Sequence, residues 1–261
     1  MDDSSGSRRD KLFGSASQLK REMDPSGTPG VALDPSAKDA AAWSNKGVSL
    51  GMTGHLKEAI SCFDKALELN PQLVAAWDNK GNALDKMGRG DEALTSYDKA
   101  LTLDPHNVVL WFDKGVALAA VGRDEEAVSC YDRALLLEPN EAHVWYNKGI
   151  SLDSMDRPED AISCYDRALA LDPCSTAAWN NRATSLSCLG RYEEAVHCYE
   201  RALELDPRHV RAWFGRAFAE DSLGRREAAI LSYQQFLALA SPQDARLVDY
   251  TSKRLRELKD K

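Results

Sequence analysis

Side chains able to do covalent or acid–base chemistry are few in this 261-residue chain, and poorly spaced for it. Of the six cysteines, Cys62, Cys130, Cys164 and Cys198 recur at one step, while Cys174 and Cys188 stand alone. No Cys-x2-Cys pair occurs, and no Cys/His cluster has the spacing of zinc ligands. Cysteines that repeat on stacked elements lie too far apart for a disulfide, whose Cα atoms sit about 4.4–6.8 Å apart. They read as buried, reduced thiols used as small apolar groups. The five histidines, His55, His106, His143, His197 and His209, are scattered, and all but His143 fall in turns or on the second of two alternating helix types. There is no Gly-x-Ser-x-Gly elbow, no glycine-rich phosphate loop and no His-Glu-x2-His pair. The reading is therefore a non-enzyme, with no catalytic residue, no cofactor and no metal site.

The charge balance narrows the partners. Asp and Glu number 41 against 33 Lys and Arg, a formal net charge of −8. Phosphate backbones call for a basic face, so a nucleic-acid binder is not expected. No apolar run approaches the ~18–20 residues of a membrane span. Met1 to Ser15 is polar and lacks the apolar stretch of a secretory signal, so a cytoplasmic protein is expected.

What the chain does contain is a period. Trp43, Trp77, Trp111, Trp145, Trp179 and Trp213 are its only tryptophans, each 34 residues from the next. The same step carries Gly47, Gly81, Gly115, Gly149, Ala183 and Ala217. It carries Ala59, Ala93, Ala127, Ala161, Ala195 and Ala229. It also carries Phe63, Tyr97, Tyr131, Tyr165, Tyr199 and Tyr233, and Pro71 through Pro207, with Pro242 one place late. Each unit reads as two helices. In the first, Trp43, Gly47 and Leu50 share one face. Gly54 breaks it, as Gly88, Gly122, Gly190 and Gly224 do later, with Asp156 in the fourth unit. Glu58, Ala59, Phe63 and Ala66 begin the second helix and Pro71 ends it. Pro158 takes a first-turn position, and acids such as Asp91, Glu125, Glu159 and Glu193 open the second helices, where the dipole favours them. Small Gly and Ala positions allow close crossing beside the large rings. One hairpin cannot bury its own apolar faces, so it stacks on the next. The fold class is all-α, a solenoid of six hairpins at 40–73, 74–107, 108–141, 142–175, 176–209 and 210–243.

The pattern W-x3-G-x2-L…A-x3-Y…A…P at period 34 resembles the tetratricopeptide repeat, over about four-fifths of the chain. The resemblance implies a right-handed superhelix whose first helices line a concave groove for extended or helical peptides. Two departures stand out. Lys46, Lys80, Lys114, Lys148, Arg182 and Arg216 occupy the place usually held by Leu before the Gly, and the last unit has Phe236 where Ala recurs. The basic row is expected to form structural ion pairs, with Asp104, Glu138, Asp172 and Asp206 as candidate partners. By the resemblance, groove positions lie two before Trp and one, two and five after it. Asn45, Asn79, Asp113, Asn147, Asn181 and Gly215 stand two after Trp. Asn joins a donor and an acceptor on one short arm, so such a row can grip a peptide backbone. At these positions alone it is similar to the asparagine ladder of the O-GlcNAc transferase superhelix. Asp78, Phe112, Tyr146, Phe214 and Phe218 are the other expected groove residues. Asp78, Asp85, Asp113, Asp153 and Asp221 outnumber Lys86, Arg211 and His143, so a basic or neutral extended segment is the expected ligand. The terminal-carboxylate clamp of chaperone-binding members is absent: its places are Ser44 and Val48 in the first hairpin, Asp78 and Asn82 in the second.

The ends differ from the repeats. Residues 1–39 are rich in Ser, Asp, Gly and Pro and are expected to be largely disordered. Within them Leu12, Phe13, Ala16, Leu19 and Met23 fall near helical spacing, flanked by Lys11, Lys20 and Arg21, so 11–23 is a candidate short helix for docking on the groove of this or another copy. Ser36 to Asp39 suggests the cap of the first repeat helix. Residues 244–261 form an amphipathic capping helix, with Leu247, Thr251, Leu255 and Leu258 inward. The function read from all this is a protein-interaction scaffold that binds a peptide or protein segment. The alternatives are a self-assembling module and a regulatory subunit of an enzyme whose catalytic part is another chain.

Overall fold

The structure, a computed structural model, describes residues 39–260. The tail expected to be disordered and the helix expected at 11–23 lie outside the described residues. Thirteen α-helices and one short 3-10 turn, and no strand, occur among the described residues. The helices are α1 (Ala40–Met52), α2 (Leu56–Leu69), α3 (Val74–Lys86), α4 (Gly90–Leu103), α5 (Val108–Ala120), α6 (Asp124–Leu137), α7 (Ala142–Ser154), α8 (Pro158–Leu171), α9 (Thr176–Cys188), α10 (Tyr192–Leu205), α11 (Val210–Ser222), α12 (Arg226–Leu239) and α13 (Ala245–Lys259). The fold is all-α and of the solenoid type. The chain divides into two compact units that part after Asn147. In the first, α1/α2, α3/α4 and α5/α6 are hairpins, α2 packs on α3, and α4 on α5. In the second, α8 packs on α9, α10 on α11 and α12 on α13, with α9/α10 and α11/α12 as hairpins.

The turns form where left-handed backbone is cheapest. Gly54, Gly88, Gly122, Gly190 and Gly224 have φ between 72° and 83°, and Asp156 takes the same region at 57°. Close crossing within a hairpin is set by missing side chains. A Cβ on Gly115 would fall 2.6 Å from the Tyr131 ring, and one on Gly149 2.6 Å from Tyr165. The rings of Tyr97, Tyr131, Tyr165 and Tyr233 are accordingly fully buried.

Successive hairpins are joined at a repeated junction. The indole Nε1–H of Trp77 donates to the Pro71 carbonyl at 2.9 Å; Trp111, Trp145, Trp179 and Trp213 do the same to Pro105, Pro139, Pro173 and Pro207 at 2.9–3.0 Å. These carbonyls lie just past a helix end, where backbone acceptors lack intrahelical partners. The basic row does form ion pairs, but with other acids than expected. Lys80 binds Asp64, Lys114 binds Asp98 and Arg182 binds Asp166, each at 2.6 Å, and Arg216 binds Glu200 at 3.2 Å. These partners lie sixteen residues upstream on the preceding second helix. Asp104, Asp172 and Asp206 instead hold their own turns, accepting from the Asn107 side chain and from the backbone N–H of Cys174 and Arg208. A short carboxylate at a helix end reaches the local N–H groups before it reaches a neighbouring helix.

First helices start on side-chain caps from Asp39, Asn107, Ser175 and His209, which accept a backbone N–H. For His209 the acceptor is Nδ1, 3.1 Å from the Ala212 nitrogen, which requires a neutral ring. At the C-terminal end α13 buries Thr251, Leu255 and Leu258, while Leu247, also expected inward, is only partly buried.

Two stability outcomes follow from these contacts. Gly115→Ala gains helix propensity of about 1 kcal/mol but overpacks Tyr131 at about 1–3 kcal/mol, so its Tm should fall. Gly51→Ala meets nothing nearer than Ala59 Cβ at 4.0 Å and should raise it. The His209 ring titrates below its ordinary value because burial penalises the cation, against the opposing pull of Asp206. A depressed histidine stabilises the fold fully above the unfolded pKa of about 6.5. The stability is lost as pH falls below that value, because the unfolded chain takes up its proton first. His209→Asn, which keeps the cap type of Asn107, should shrink the Tm loss between pH 7.5 and 5.5; an unchanged pH dependence would contradict this assignment.

Candidate functional site

The surface in question is built from first-helix residues one, two and five places after each Trp, and the structure places them in very different surroundings. On α1, Asn45 is exposed. On α3, Asp78 and Asn79 are half-buried; Asp78 accepts from the Asn82 amide at 3.0 Å, and the Asn79 amide donates to the Ala75 carbonyl at 2.7 Å. On α5, Phe112 and Asp113 are buried, at 0% and 1% exposure. Phe112 meets His143 edge-on at 4.6 Å and Tyr131 at 6.0 Å. Tyr146 and Asn147 on α7 are buried as well. On α9, Asn181 is half-buried and accepts from the Asn180 amide at 3.3 Å. Phe112 and Tyr146 are thus packing residues in this structure and not the exposed anchors expected of them. A helix as apolar as Val108–Ala120 surrounds its own side chains with neighbours.

Accessible aromatic surface lies instead at the last hairpin and its cap. Phe214 is half-buried within a group of rings, 5.3 Å from Phe236, 6.0 Å from Tyr250 and 6.3 Å from Tyr233. Phe218, five places after Trp213, is 39% exposed and stands edge-on to Tyr192 at 6.3 Å. Tyr250 on α13 is 44% exposed. Phe218, Asp221, Ser222, Tyr250, Arg254 and Glu257 line a cleft of about 310 Å³ between α11 and α13. The Arg254 guanidinium binds both Asp221 oxygens, at 2.7 and 2.9 Å, and also reaches Glu257 at 2.9 Å. These carboxylate hydrogen bonds push its pKa further up. The Tyr250 and Arg254 contributions were not recognised from the sequence, because α13 reads there as a cap. The one available signal was Tyr250, three residues after Leu247 and so beside the apolar face.

The electrostatics change with these contacts. Asp221 is neutralised locally by Arg254, and Asp113 is buried, so two of the five acids expected to charge this face do not present an open carboxylate. Asp153 accepts from the Tyr165 hydroxyl at 2.7 Å and from the Ser185 hydroxyl at 2.8 Å. The cysteines of the 34-residue step are buried. Burial pushes the Cys62 and Cys198 thiols up, and Cys130 to about 11, so thiolate chemistry is suppressed. No group of His, Cys, Asp and Glu among the described residues could hold a metal ion.

Sequence models described as tetratricopeptide repeat match residues 40–73, 142–173 and 176–209, and another matches 86–149. A third, described as tetratrico peptide repeat, matches 210–259. The chain belongs to the tetratricopeptide repeat family. Among curated proteins nothing matches it. Similar solved structures include PilF of Pseudomonas aeruginosa, at 21% identity over 82% of this chain and 97% of that one, with a TM-score of 0.69. YrrB, described as a TPR protein with an unusual peptide-binding site, is 24% identical over 69% of this chain and 93% of its own, TM-score 0.60. MamA is 24% identical over 61% and 93%, TM-score 0.59. At these identities the likeness concerns the fold. No described helix is long and apolar enough to cross a membrane.

If Arg254 fixes the cleft wall, Arg254→Ala should speed amide exchange across α13 while α9 and α10 keep their protection. Equal exchange in both proteins would show that apolar packing alone holds the cap.

Proposed function

We propose that the chain is a non-catalytic scaffold that holds a neutral or basic segment of another protein along its first helices, in six 34-residue units between residues 40 and 243. The observation that carries this reading is the cleft of about 310 Å³ where Phe218 and Tyr250 stay exposed beside a closed Asp221–Arg254 pair. Exposed rings against a polar rim are the usual composition of an interaction hot spot. The cleft takes one apolar or aromatic anchor side chain of the ligand. In the unit that holds the cleft, Asn181 keeps enough exposure to hydrogen-bond the ligand backbone. The fold likeness to YrrB, described as a TPR protein with an unusual peptide-binding site, is in keeping with this reading. Asp153, in the same unit as the cleft, supplies a negative bias that favours neutral or basic over acidic segments.

A peptide array of graded net charge and anchor type tests it. Binders should be neutral or basic with an aromatic or large aliphatic residue. Phe218→Ala and Tyr250→Ala should each weaken them by about 2 kcal/mol. A preference for acidic peptides, or affinity unmoved in both variants, would overturn the assignment. Phe112→Ala is a poor probe here, because truncating a fully buried ring costs about 3–5 kcal/mol of stability.

A further inference from the structure

The junction that joins one hairpin to the next is complete everywhere it can be seen inside the stack, and open on α1. The Trp43 indole finds no carbonyl acceptor among the described residues, whereas five later indoles do. Lys46 lies over the Trp43 ring at 5.3 Å and is exposed, with no carboxylate partner among the described residues. Its counterparts Lys80, Lys114 and Arg182 are largely covered, at 19–22% side-chain exposure, and salt-bridged. Ala42 and Leu50 are only partly buried, while Ala76 and Leu84, at the same places one hairpin on, are at 0% and 1%. The face therefore has the chemistry of a used junction, with no occupant among the described residues. It offers a partly buried apolar strip, an indole donor and two exposed cations over its ring, Lys46 and, at 4.4 Å, Lys65.

We propose that this N-terminal face of α1 is a second docking surface, separate from the Phe218–Tyr250 cleft, which receives an acidic amphipathic helix of another protein. The occupant must resemble what fills the inner junctions: an apolar helix face, an Asp or Glu opposite the lysine, and a free backbone carbonyl at its C-terminal end. A second copy of this chain cannot supply it end to end. Its inner second helices are already seated, and α12 carries Gln234 at the acid's place and packs on α13. The chain's own upstream segment suits it poorly, since 11–23 carries Lys11, Lys20 and Arg21 against Glu22 alone, a net positive charge that Lys46 would repel.

The test uses full-length protein and a fluorescent synthetic peptide copying residues 56–72, kept reduced. This peptide carries Asp64 and Pro71, the groups that satisfy Lys80 and Trp77. Anisotropy should show saturable binding. Lys46→Glu in the protein, or Asp64→Lys in the peptide, should weaken binding about tenfold, since each turns a partly covered attraction into repulsion. The two changes together should restore most of the affinity, and Phe218→Ala should leave it unchanged. Absence of saturable binding overturns the proposal, including the case in which residues 1–38 already fill the place. So does binding that is indifferent to Lys46→Glu, or a double change that fails to recover.

Discussion

An indole N–H that reaches back to a proline carbonyl sets how one hairpin follows the next. Pro71 ends α2 because it cannot continue the helix, and its carbonyl is left without an intrahelical donor. Trp77, six residues later, supplies that donor and lays its ring along the joint, where Lys80 sits 5.5 Å from its centre and bridges back to Asp64. Termination, hydrogen bond, cation and carboxylate thus lie at one point. None of these is large: a neutral hydrogen bond contributes about 1 kcal/mol and an exposed ion pair less. Their weight comes from recurrence, since in a repeat array stability is close to a sum of nearest-neighbour interfaces.

Packing of this kind competes with binding for the same side chains. First-helix residues one, two and five places after Trp can face open solvent or a neighbouring helix. α5 is apolar nearly all round, so Phe112 and Asp113 are enclosed; α1 and α11 keep Asn45 and Phe218 accessible. The proposed binding surfaces therefore lie where the regular pattern is interrupted: at the last hairpin, where α13 adds Tyr250 and Arg254 to the last first helix, and on α1, where no described residue supplies a preceding second helix.

The period carried most of the architecture. Helix limits, left-handed turns at the glycines and Asp156, and the Gly–Tyr crossings are local consequences of residue type, and a single sequence shows them. Exposure was not legible in the same way. Periodicity assigns a residue to a face of its helix but does not say how closely the neighbours approach, so Phe112 and Tyr146 looked equivalent to Phe218. The ion-pair partners were legible but overlooked. Asp64, Asp98, Asp166 and Glu200 form their own ladder at the 34-residue step, as regular as the bases they bind. The acids nearer in sequence, Asp104 and its counterparts, are spent on their own turns.

The last hairpin shows how departures from the pattern are coupled. Phe236 replaces the recurrent Ala, and its ring packs on Phe214, which in turn meets Tyr250 of the cap. Glu220 replaces the Leu of Leu84 and Leu118, and is buried at 2% exposure. It is held there by the Arg216 guanidinium at 2.8 Å and the Ser232 hydroxyl at 2.7 Å, so a charge that would be costly alone is paired on both oxygens. Gly215 replaces Asn where a Cβ would collide with the Tyr199 ring. Through Phe214 the Phe236 ring is coupled to Tyr250, which only α13 supplies, while Glu220 is paired within its own hairpin and Gly215 makes room for Tyr199 of the preceding one. The terminal unit is a differently solved packing problem, in which α13 takes the place of a following hairpin. Phe218 is what remains exposed of the first-helix aromatic surface once α13 has docked, and Tyr250 is the ring that α13 adds beside it.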